Sequence, residues 1–179
     1  MGTKTVKAMT VCALVAASGV GHAPAGAEAP ATEITFVNGV DLNFLQGMAE
    51  RQGHVVEQAV NRLNEAVVIA NTATGLRYGL VGMNCEAPDA LNCSGLQMMM
   101  ILSPLGEPPL DEINLLNYNR AAVSVWRSPA EAGAETGAPP EYGVNRYMIL
   151  DHGVTPENIE VNLGVFLQAA QGVKEAFER

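Results

Sequence analysis

The sequence predicts an α+β domain: an antiparallel sheet of about five strands flanked by helices, in the order α-β-β-β-α-β-β-α. Three observations lead there. Helix start signals stand ahead of apolar residues at 3.6-residue spacing near both ends of the chain. Apolar and β-branched runs of strand length recur between those helices. Two of the runs are separated only by the turn-rich "EAPDALN", Glu86 to Asn92, a connection of the length that joins antiparallel neighbours.

The first 27 residues read as an export signal. Lys4 and Lys7 form a positive start, "AMTVCALVAASGVG" from Ala8 to Gly21 forms an apolar stretch, and "APAGAEA" from Ala23 offers small residues for cleavage. The cut is expected after Ala27, since a later cut after Ala29 would leave Pro30 first. The apolar stretch is about 14 residues, short of the ~20 that span a bilayer. Cys12 leaves with the signal. Residues 28–40 form a linker, and 41–179 the domain.

Charge narrows the partners. The chain has 10 basic and 19 acidic residues, net −9, and removing residues 1–27 takes away two lysines and no acid, giving −11 with Lys174 as the one remaining lysine. Nucleic acid and anionic membrane surfaces demand basic patches, so neither is an expected partner. The expected product is a soluble periplasmic or secreted domain that has no membrane contact after cleavage.

"DLNFLQGMAERQG", Asp41 to Gly53, has an acidic start, Leu42, Leu45, Met48 and Ala49 at helical spacing, and a closing glycine. Residues 54–65 suit a strand or a short helix equally. "AVVIANT", "LRYGLVGMN" and "SGLQMMMILS" follow as strands that open the sheet as a meander. After the proline-rich "SPLGEPP", Leu110 to Arg120 is a helix with acids in its first turn, where the helix dipole favours them. "AAVSVW" and "VNRYMIL" are strands on either side of the Gly-, Ala- and Pro-rich loop 127–143. "TPEN" from Thr155 then supplies a cap threonine, a first-position proline and an acid ahead of Ile159, Leu163, Phe166, Leu167, Ala170 and Phe177. The alternation Val161, Leu163, Val165 would suit a strand, but the cap and the length favour a helix.

Cys85 and Cys93 form an even pair in an exported chain, and a structural disulfide is the default there. A redox Cys-x-x-Cys would open a helix, and seven intervening residues including Pro88 and Asp89 do not do so. Zinc would want about four close ligands, and His54 and His152 have no ligand-like spacing to either cysteine. Met98 and Met100 share one face of a strand, where core packing competes with a soft-metal role. No phosphate loop, nucleophile elbow or committed acid pair is present, so no catalytic residue, cofactor or metal is assigned.

Several segments together resemble the bacterial YbjN-domain family of sensory transduction regulators: Cys85 with "CSGLQ" from Cys93 to Gln97, "INLLNYNR" from Ile113 to Arg120, and "ILDHGVTPENIEVNLGVF" from Ile149 to Phe166. The likeness covers roughly Asp41 to Phe177. Tyr118 stands near the place of the family's usual tryptophan, and "AAVSVW" replaces its aromatic-basic stretch. The resemblance implies a fold similar to type III secretion chaperones and a non-enzymatic binding or regulatory role toward a protein or peptide, with a homodimer as one form. It marks Asn114, Asn117 or Asn119 and Arg120 as a helix face for recognition, although these side chains could equally cap the helix end. Recognition is expected through a sheet face or helix edge; the alternatives are a small-molecule or metal-binding sensor and an enzyme of unrecognised type.

Overall fold

The computed structural model describes residues 34–62, 65–86, 90–129 and 140–179; the expected export signal, Pro88, Asp89 and the centre of the loop 127–143 lie outside them. The elements are α1 (Leu42–Arg51), β1 (Val55–Arg62), β2 (Glu65–Asn71), β3 (Arg77–Met83), β4 (Gly95–Leu102), α2 (Leu110–Asn119), β5 (Ser124–Arg127), β6 (Tyr142–Ile149) and α3 (Pro156–Phe177). All six strands join one antiparallel sheet in the order β1-β2-β3-β4-β6-β5. The expected α+β class holds, with one strand more than the five anticipated.

The extra strand is β1, the segment that suits helix and strand equally in sequence. Its register against β2 slips between Val56 and Gln58, a β-bulge. Val56 and Ala59 therefore both pack on the core, three residues apart. A bulge inside a strand converts part of a period-2 pattern into a spacing that resembles a helix.

α1 and α3 start where their caps predict. Asp41 accepts a bond from Phe44 N–H at 2.7 Å, and Thr155 Oγ1 accepts one from Asn158 N–H at 3.1 Å, each satisfying a donor that the first turn leaves unpaired. α3 buries Ile159, Leu163, Phe166, Ala170, Val173 and Phe177, whereas Val161 and Val165 point outward. That outward pair produces the strand-like alternation in the sequence.

The core lies between the helices and one face of the sheet. Leu45 and Met48 of α1, Ile113 and Leu116 of α2 and the α3 stripe join a single apolar cluster with Ala66, Val68, Ala70, Tyr78, Leu80, Leu96, Met98, Met100 and Val144. Met98 and Met100 are thus core residues, filling space beneath α3.

Cys85 and Cys93 are joined as a disulfide, their Cα atoms 3.7 Å apart. The bridge closes the β3–β4 connection, and Cys93 is held further by an antiparallel pairing with Val40. Cys93 sits against Gly82 of β3: a Cβ at Gly82 would lie 2.8 Å from Cys93 Sγ. The staple is therefore packed into the core rather than hung on the surface.

Candidate functional site

Strand side chains alternate between faces, so the residues that skip the core must share the opposite face. These include Val60, Val67, Ile69, Val81, Met83, Met99, Ile101, Trp126, Tyr147 and Ile149, with the polar Gln58, Asn71, Gln97, Ser124 and Asn145 among them, none in the core cluster. All three helices pack through that cluster on the other side. Among the described residues, no helix covers this second face. Ile101 is 58% exposed, Tyr147 49% and Ile149 67%.

The face is flat as well as apolar. A Cβ at Gly143 would run into the Trp126 indole, and one at Gly95 into the Tyr147 phenol. Each aromatic ring lies down across a glycine of the neighbouring strand instead of standing off the sheet. Tyr147 is also within 3.4 Å of Asn84 Nδ2, beside the disulfide loop. A shallow groove of about 440 Å³ crosses the β1–β4 part of the face between Arg62 and Glu65 at one end and Arg77 at the other, over Val67, Ile69, Val81 and Met99. At that second end Arg77 pairs with Glu57 at 2.7 Å.

The residues singled out on α2 divide into two sets. Asn117 donates to Val125 C=O at 3.0 Å and accepts from Val125 N–H at 2.7 Å, so its amide serves as a partner strand for the outer edge of β5. Arg120 donates to Gly172 C=O at 3.0 Å and ties α2 to α3. Asn114 and Asn119 face solvent, alongside the exposed Leu115 and Tyr118. The structure thus brings Asn117 and Arg120 into internal contacts and leaves the other two on the surface.

The histidines are separate. His54 Nδ1 is 2.7 Å from the Tyr78 hydroxyl, with the rings edge to face, and partial burial pushes the imidazole below its ordinary value. Burial pushes the Tyr78 phenol up. His152 is exposed, in a turn with φ 69°. Among the described residues, no three His, Cys, Asp or Glu side chains are grouped to hold a metal. No described helix is long and apolar enough to cross a membrane.

The sequence leaves recognition between a sheet face and a helix edge, although a signal for the open sheet face is present. "AVVIA" and "MMMIL" are apolar at both parities, which is the pattern of strands with two faces to cover. The three helices cover only one.

A single antiparallel sheet with every described helix on one side defines an α+β domain of YbjN-like fold. One solved structure with this likeness is YbjN of E. coli, a candidate transcription regulator: 79% of this chain aligns with 94% of that one at 11% identity and a TM-score of 0.54. An uncharacterized protein from Methanothermobacter thermautotrophicus aligns over 77% of this chain and 99% of its own at 10% identity, with a TM-score of 0.46. No protein-family model and no curated protein matches the sequence.

Proposed function

We propose that this is a non-enzymatic, exported interaction module of the YbjN type, which binds a protein or peptide through its open sheet face. The observation that carries the reading is the uncovered apolar face itself. A contiguous apolar surface on a small domain stays in water at a cost unless something docks on it. The groove across that face runs over half-buried side chains between exposed ones at its ends, Arg62, Arg77 and Ile101, and suits an extended chain. The regulatory role given for YbjN supports a binding activity in preference to turnover. The disulfide fits the oxidising compartment that the N-terminal segment implies. No specific observation favours a metal or small-molecule sensor, since Met98 and Met100 are spent on packing.

The test is capture from the native host's secreted or periplasmic fraction with the oxidised protein as bait, beside an Ile101→Glu bait. Ile101 is exposed, so the substitution leaves the core alone. A protein retained by the first bait and lost from the second is the expected result. Equal retention by both would remove the sheet face from the reading.

A further inference from the structure

We propose that the occupant of the open face is a second copy of this chain, packed sheet to sheet about a two-fold axis; the proposal rests on the interaction reading above and names its partner. A two-fold interface buries the same patch on both subunits, so the patch must complement itself in charge and in shape. A chain of net charge −9 does not meet that condition over an arbitrary surface.

The open face does meet it. Its centre, Val67, Ile69, Val81 and Met99, is uncharged, and its ionic groups stand in opposite-sign pairs at the two ends. Arg62 faces Glu65 in the β1–β2 register, and Arg77 holds Glu57. An end that meets itself, or the opposite end, finds both signs across the axis. No excess of either charge selects a basic or an acidic partner, and the acidic excess of the chain is carried elsewhere.

Shape and area agree. Side chains laid across Gly95 and Gly143 keep the surface low, as face-to-face sheets about 10 Å apart require. At about 4.8 Å between strands and 3.4 Å per residue, six strands of this length present about 600 Å². Two copies then bury about 1,200 Å² in total, the lower bound of standard interfaces, so the expected association is reversible.

Sedimentation equilibrium of the oxidised protein over about 1–200 µM, a range matched to weak interfaces of this size, reads the result directly. The expected result is a monomer–dimer equilibrium that Ile101→Glu, and independently Ile149→Glu, loosens by at least about tenfold, as like charges brought together within an interface do. Both variants should keep the parent's circular dichroism and melting behaviour, and Tyr118→Ser on α2 should dimerise like the parent. A dimer indifferent to both sheet substitutions would overturn the proposal, as would one lost with Tyr118→Ser. Monomer at every concentration would also overturn it. In that last case, a captured protein sensitive to Ile101→Glu keeps the interaction reading with a different partner, and its absence takes both away.

Discussion

Gly82 and His54 are two positions where a single residue carries a measurable share of the fold. At Gly82 the absent Cβ makes room for the staple: a methyl there would meet Cys93 Sγ at 2.8 Å and Ala66 Cβ at 3.3 Å. Neither neighbour can swing aside, one being held in a disulfide and the other in a strand. Gly82→Ala should therefore destabilise the oxidised protein by about 1–3 kcal/mol, the usual cost of overpacking, read as a lower midpoint in denaturant titration. An unchanged midpoint would mean that the staple is not packed as described. His54 adds a pH dependence. Burial lowers its pKa in the folded chain, so the unfolded chain binds the proton more readily. The stability it contributes is fully present above the unfolded value near 6.5 and is lost as pH falls through the lower folded value. His54→Gln should flatten the decline in stability on acidification below about pH 6.5, a window set by the ordinary histidine pKa. A parent and variant with the same slope in that window would refute the assignment.

Among the strands, β5 draws on a side chain for its outer edge. It has four residues and a single strand neighbour, and its outer edge is satisfied at Val125 by the Asn117 amide. Val125 is buried, so Asn117→Ala leaves a donor and an acceptor without partners and should cost about 2 kcal/mol in thermal or denaturant unfolding. Asn114→Ala and Asn119→Ala, at exposed positions of the same helix, should stay within about 0.5 kcal/mol of the parent. Three equal effects would contradict the edge-strand role. α1 and α3 were legible in the sequence because their caps are local chemistry: Asp41 and Thr155 each act within four residues. β1 was not, because its bulge erased the period that identifies a strand. Asn117 was legible as a residue of interest, but its partner lies across a turn in β5, and only the packing of α2 against that strand could separate recognition from edge capping. The open face was half legible. The strands announce apolar residues on both sides, yet which side the helices leave bare is decided by connections that no local pattern records.

At the scale of the whole molecule, the acidic balance separates two ways in which a YbjN-like fold could act. A module that binds DNA directly gains affinity by displacing counterions from phosphates, and its binding weakens steeply as salt rises. This chain carries 19 acidic against 10 basic residues, and two of the basic ones, Lys4 and Lys7, belong to the expected export signal. Two copies approaching each other also repel through their net charge, while the face proposed to join them is neutral. Added salt shortens the Debye length from about 14 Å to about 4 Å between 50 and 500 mM, which removes the repulsion and leaves apolar burial intact. Self-association should therefore tighten across that range, and the chain should show no binding to duplex DNA even at the low-salt end. Sedimentation equilibrium and a DNA titration at both salt concentrations check the pair of expectations. Self-association that weakens with salt would mean that ion pairs, and not the apolar centre of the face, hold the copies together; DNA binding at low salt would reveal a basic surface that the charge balance argues against.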